Sequence, residues 1–259
     1  MPSSLDRRPW TFYVLALLML LFVLFLYGPM ISVLVLSFQG PSASLNFPLR
    51  DPSLIWFDEL FNPTRVGDVP GAFSRSLPLA LVVMVLTVLI SVTAGFGFRR
   101  RFRGSGALFY MAIASLIIPG LVLSIGILVT AQFLGLSASW YGTALGAHLT
   151  WTLPFGLLIM FAILGPSRWQ SIKDVVVPIV FPGMIAVALF GFTLSYDEFP
   201  RSWLTVGTKN TLPLEIWTMT TNVTSPALYA LGTVTTVISF FVIAVALGSI
   251  ILIQRRRSK

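Results

Sequence analysis

Six stretches of this chain, residues 13–38, 77–98, 107–133, 142–164, 175–196 and 227–253, contain no Asp, Glu, Lys or Arg. Each is at least 22 residues long and dominated by Leu, Val, Ile, Phe and Ala. About 20 apolar residues in an α-helix cross the hydrocarbon core of a bilayer. Only a helix or a closed barrel satisfies every backbone N–H and C=O there. Uninterrupted apolar runs of this length predict helices, because barrel strands are short and alternate. Only 10% of the residues are charged, against about 25% in soluble domains, so six such helices could not be covered by a polar surface. The expected fold is therefore an all-α membrane protein, a single transmembrane domain over residues 1–259 with six spans at the boundaries given above.

The first stretch follows Arg7 and Arg8, as the apolar core of a secretory signal peptide would. It is too long for one, and no small-x-small cleavage site follows it, so a retained helix is expected. Basic residues set the orientation. With both termini on one side, that side holds 12 of the 17 Lys and Arg but only Asp6 and Asp174 among the acids; the opposite side holds five bases and seven acids. Short cytoplasmic loops carry the excess of Lys and Arg, which places both termini in the cytoplasm. The +8 formal charge then records topology, and the run Arg99-Arg100-Arg101 faces lipid headgroups rather than nucleic acid.

Two outer loops, 39–76 and 197–226, are long. Within the first, residues 54–61 make an amphipathic piece rich in aromatics, suited to the membrane interface. Proline interrupts four spans, at Pro29, Pro119, Pro154 and Pro182, where the freed backbone groups must find partners in neighbouring helices or a cavity. Gly142, Gly146 and Ala147 would let the fourth span approach another helix closely.

Catalytic signatures are missing. The chain has no cysteine and one histidine, which excludes a thiolate nucleophile and a multi-His metal centre. It has no phosphate-binding loop of the Gly-x-x-x-x-Gly-Lys-Ser/Thr type, no Gly-x-Ser-x-Gly and no His-Glu-x-x-His. Neither catalysis nor a cofactor or metal is expected. His148 lies in the outer half of the fourth span, either hydrogen-bonded to an adjacent helix or in contact with a transported solute. The remaining polar information is concentrated in the inner loop from Leu164 to Asp174, followed by Val177-Pro178, and in Ser195-Tyr196-Asp197-Glu198-Phe199 at the outer end of the fifth span. Two adjacent carboxylates at the mouth of a bundle either bind a cation or are solvated loop acids.

At these positions the chain resembles the permease subunits of binding-protein-dependent ABC importers, most closely those of the spermidine/putrescine type. The resemblance rests on Arg101-Phe102-Arg103-Gly104, Ile118-Pro119-Gly120, His148 with Leu153-Pro154-Phe155, and Leu164-Gly165-Pro166-Ser167-Arg168-Trp169. It continues through Val177-Pro178, Phe181-Pro182-Gly183, Ser195-Tyr196-Asp197-Glu198-Phe199 and Thr211-Leu212-Pro213-Leu214-Glu215-Ile216. It implies a subunit of the bacterial inner membrane that forms half of a translocation path. Its implied partners are an ATP-binding subunit dimer, a second and different permease, and a periplasmic solute-binding protein. It further implies that Leu164, Gly165, Ser167, Arg168, Trp169, Ile172 and Pro178 belong to an ATPase-coupling loop, and that Tyr196, Asp197, Glu198 and His148 lie on the substrate pathway.

One departure stands out. Family members carry a Glu-Ala-Ala stretch ahead of that Gly; here Phe161-Ala162-Ile163 runs directly into Leu164-Gly165. Weakened coupling to the ATPase is the expected consequence. The competing reading is a secondary transporter or channel without ATP coupling, which would need charges inside its spans for ion coupling.

Overall fold

The computed structural model describes residues 9–42, 46–62, 67–98, 102–164, 177–222 and 225–257; all the regular structure among them is helical. In chain order the helices are α1 (Trp10–Leu36), α2 (Ile55–Glu59), α3 (Val69–Phe98), α4 (Ser105–Ala114) and α5 (Gly120–Phe133). They continue with α6 (Thr143–Leu164), α7 (Val177–Tyr196), α8 (Ser202–Thr205), α9 (Leu212–Asn222) and α10 (Ala227–Arg257). Four of them, α1, α3, α6 and α10, are long and apolar enough to cross a membrane.

The centre of the bundle is α3, packed against α6 and α7, which also pack on each other. Its buried residues show why. Ala72, Ser76, Ala80, Val83, Thr87, Ser91 and Gly95 recur every three or four residues and form one stripe of mostly small side chains. Between helices in lipid there is no hydrophobic drive, so close approach and hydrogen bonds hold them together. Thr87 Oγ1 and Thr152 Oγ1 share a buried hydrogen bond of 2.7 Å across α3 and α6, a type worth about 0.6 kcal/mol on average. Gly156 on α6 abuts Ser91 so closely that a Cβ there would collide with the serine, and a Cβ at Gly191 on α7 would make a tight contact, 3.2 Å from the Met84 Cα.

The third sequence stretch is not one helix. It divides into α4 and α5, with residues 115–119 between them outside any helix. Pro119 has no N–H to give to Ser115, and it disfavours helical torsions at Ile118. The Ser115 hydroxyl ties the break to α6, donating to the Thr150 carbonyl at 2.7 Å and lying 2.8 Å from the Ala112 carbonyl. The helix continues through Pro29, Pro154 and Pro182. The second span starts eight residues earlier than expected, at Val69, and is headed by Asp68, whose Oδ1 accepts from the Gly71 N–H at 3.0 Å.

Both long loops are structured. In the first, the expected amphipathic piece is α2, and Gln39 organises the turn before it: its Nε2 donates to the carbonyls of Asn46 and Pro48, and its Oε1 accepts from the Arg50 N–H. In the second, α8 and α9 fold back onto α3, α5 and α6 and bury Val206, Leu212, Leu214 and Met219. Glu215, buried at the start of α9, accepts from the Asp68 N–H at 2.9 Å and from Asn210 Nδ2 at 2.8 Å, tying this segment to the head of α3.

Candidate functional site

The fifth apolar stretch ends as α7 at Tyr196, and four of the five residues that follow, 197 to 201, are polar or proline. This short segment places every sequence-predicted pathway residue within one region of the molecule, but in different environments.

His148, 1% exposed, is held between two helices. Its Nδ1 lies 2.8 Å from Ser195 Oγ on α7 and its Nε2 lies 2.9 Å from Ser202 Oγ on α8. The Ser202 hydroxyl donates its own proton to the Glu198 carbonyl at 2.6 Å. It is therefore the acceptor from the imidazole, which fixes the Nε2–H tautomer and leaves Nδ1 to accept from Ser195. The chain Ser195 to His148 to Ser202 to the Glu198 carbonyl is internally satisfied and joins α6, α7 and α8.

Glu198 and Arg201 are buried together, each with a side chain 5% exposed, and Arg201 Nη1 lies 3.4 Å from Glu198 Oε1. Glu198 Oε1 also accepts from the Arg201 backbone N–H at 2.9 Å. The guanidinium lies 4.4 Å from the centre of the Trp151 ring, a cation–π contact. Gly120, at the start of α5, sits where a Cβ would fall 3.2 Å from Arg201 Nη1, so the Pro119-Gly120 break gives the arginine room. The Arg201 carbonyl accepts from Ser124 and Thr205. Burial pushes the Glu198 carboxyl up from the usual carboxylate range, and Arg201 works against that shift.

Tyr196 is buried, stacked on Phe192 with ring centres 5.6 Å apart. Its hydroxyl has no hydrogen-bond partner among the described residues. Asp197 differs from all three: it is exposed, and it borders a cavity of about 290 Å³ between α7, α1 and α10. Partial burial pushes its carboxyl upward as well, so its negative charge is lost on acidification earlier than that of a free aspartate. Among the described residues no group of acidic or histidine side chains could hold a metal ion.

Of the inner-loop residues, Leu164 closes α6 and Pro178 is the second residue of α7, where a missing N–H is tolerated. Gly165, Ser167, Arg168, Trp169 and Ile172 lie outside the described residues. The sequence reading missed Arg201, Trp151 and Ser202, and named Ser195 without pairing it with His148. A basic residue three positions after Glu198 is the signal that points to the pair.

No protein-family model matches the chain. It is similar to the spermidine/putrescine transport system permease protein PotC of Escherichia coli, 27% identical over 235 residues, which cover 85% of this chain and 87% of that protein. It is also similar to the putrescine transport system permease protein PotI of Escherichia coli, 24% identical over 249 residues (88% and 85%). A third relative is the diacetylchitobiose uptake system permease protein NgcG of Streptomyces coelicolor, 23% identical over 197 residues (70% and 65%). The chain is thus a multi-pass membrane protein related along most of its length to transport permeases, those for polyamines among them.

Proposed function

We propose that this chain is a transmembrane permease subunit of an ABC importer that moves a polyamine across the bacterial inner membrane. The observation that carries the reading is the similarity to polyamine-transport permeases along 85% or more of the chain. ATP is hydrolysed on a separate ATP-binding dimer, a different permease subunit completes the path, and a periplasmic solute-binding protein delivers the substrate. The chain itself is not an enzyme. Spans without acidic or basic side chains favour this over an ion-coupled transporter.

The whole chain acts as one domain with six spans, α4 and α5 together serving as the third, and both termini are cytoplasmic. Asp197 contacts the substrate at the outer part of the pathway, and His148, Tyr196 and Glu198 frame it. Leu164, Gly165, Ser167, Arg168, Trp169, Ile172 and Pro178 engage the ATPase.

In cells lacking their own polyamine uptake, co-expression with the three partner proteins is expected to restore accumulation of radiolabelled spermidine, and omission of this chain to abolish it. Accumulation of diacetylchitobiose instead would replace the substrate class. Orientation has its own test, since the chain carries no cysteine. A membrane-impermeant maleimide added to intact cells should label Thr208→Cys, in the 197–226 segment, and leave Ser105→Cys unlabelled until the cells are permeabilised. The reverse pattern would invert the topology.

A further inference from the structure

Between the end of α3 at Phe98 and the start of α4 at Ser105 the chain reads Arg-Arg-Arg-Phe-Arg-Gly. Four positive charges fall within five residues. No Asp or Glu occurs between Asp68 and Asp174, so α3, α4, α5 and α6 offer no acid to neutralise them. Arg103 lies within the described residues and is exposed.

The surface beside these charges is aromatic. The Phe98 and Phe102 rings stack with their centres 6.1 Å apart. Phe109 of α4 meets Phe98 edge-on at 5.7 Å and tilts against Phe161 of α6 at 5.1 Å. Four rings thus join one end of α3, α4 and α6. Arg99, Arg100 and Arg101 connect Phe98 to Phe102, so chain length alone keeps each within two Cα steps, about 8 Å, of one of those phenylalanines. Around the rings Phe102, Leu108, Tyr110, Met111 and Phe161 are exposed.

An uncompensated positive cluster calls for an anion, and exposed apolar side chains next to it call for hydrocarbon. A soluble anion supplies only the first. An anionic phospholipid supplies both: a phosphate that arginine binds through two N–H groups, and acyl chains. The dimensions agree, because the ten residues of α4 rise about 15 Å, half the roughly 30 Å hydrocarbon core and so the depth of one leaflet.

From this geometry we infer that the α3–α4 loop and its four-ring base form a binding site for an anionic phospholipid. The headgroup phosphate pairs with Arg103 and the three arginines before it, and an acyl chain lies along α4. Phe161 stands three residues before Leu164, so the occupied site also holds the end of α6 from which the inner loop departs. The inference goes beyond the transport reading and does not depend on the solute carried.

The test places a bimane fluorophore on Tyr110→Cys in the otherwise cysteine-free full chain, in phosphatidylcholine vesicles containing a small share of brominated lipid. Brominated phosphatidylglycerol should reach the probe at least about ten-fold more effectively than brominated phosphatidylcholine, since each basic residue near an anionic surface contributes about five-fold. Arg100→Gln with Arg103→Gln, which leaves Arg99 and Arg101 to preserve orientation, should lower that preference about five-fold or more. The same probe on Phe133→Cys, at the far end of α5, should show no preference. Equal quenching by the two lipids at Tyr110→Cys, the same preference at both positions, or a preference unchanged by the double substitution would overturn the site. Thermal unfolding in detergent supplies a second measurement: added phosphatidylglycerol should raise the Tm of the parent chain and leave that of the double variant unmoved, whereas an equal rise in both would refute the inference. A double variant that keeps the lipid preference but no longer co-purifies with the ATP-binding subunit would assign the basic run to that protein and refute it as well.

Discussion

Glu198→Ala is expected to destabilise the bundle by about 3–5 kcal/mol, the usual cost of removing one partner of a buried ion pair. Arg201 remains buried, 4% exposed, with its guanidinium over Trp151 and its backbone N–H deprived of the carboxylate that now accepts it. The relay from Ser195 through His148 and Ser202 ends on the Glu198 backbone carbonyl, which the substitution keeps, so the loss should be that of the ion pair alone. Replacing both charges, as Glu198→Leu with Arg201→Met, should recover much of the loss, since two apolar residues leave no uncompensated charge. Thermal unfolding of the purified chain in detergent separates these cases. Asp197→Asn, at an exposed carboxylate without an ion-pair partner among the described residues, should change stability by no more than about 0.5 kcal/mol. A Glu198→Ala variant as stable as the parent would show that the pair is not what holds this segment in place.

The largest functional effect is expected at the inner loop. ATP binding biases a permease only through a contact that differs between two arrangements of the bundle. Coupling free energies between such sites are about 1–3 kcal/mol, or 5- to 150-fold. Ten residues separate Gly165 from Asp174 inclusive, room for at most about three helical turns at 3.6 residues per turn. Trp169 and Ile172, three apart, suit insertion into an apolar groove, and Pro166 suits a helix start. The Glu-Ala-Ala segment is missing ahead of this element, and a coupling contact transmits strain in proportion to the rigidity of what supports it. Restoring the segment before Leu164 should therefore raise substrate-stimulated ATP hydrolysis by a factor within that range, and Trp169→Ala should lower it by a similar factor.

Much of this architecture was legible in the sequence. Runs without charge locate α1, α6, α7 and α10 to within a few residues, because burying a charge in lipid is costly enough to leave a clear signature. The same criterion truncated α3. Arg75 interrupts the run, yet a helix that emerges from the bilayer can carry an arginine, here paired with Asp68 at 3.2 Å. The break between α4 and α5 was marked by Pro119, but Pro29, Pro78, Pro154 and Pro182 sit inside continuous helices, so the residue alone does not decide; the hydrogen bond from the Ser115 hydroxyl to α6 is a tertiary fact. Asp197 and Glu198 read as an equivalent pair. Only the end of α7 at Tyr196 turns one toward Arg201 and the other toward α10. Thr235, Thr236 and Ser239, which line the cavity beside Asp197, are ordinary hydroxyl residues within an apolar run, and no local pattern marks them as facing a carboxylate 38 or more residues earlier.

The account is tested most directly by ATP hydrolysis in the assembled complex, reconstituted with its binding protein and spermidine, for three versions of the chain: the sequence as it stands, the version with the Glu-Ala-Ala segment restored, and the restored version with Trp169→Ala. The expected order is weak stimulation, strong stimulation, and weak stimulation again, with spermidine entering the vesicles in proportion. Spermidine entry that is equal in all three and continues without ATP would contradict the claim that this chain is a permease driven through its inner loop by a partner ATPase.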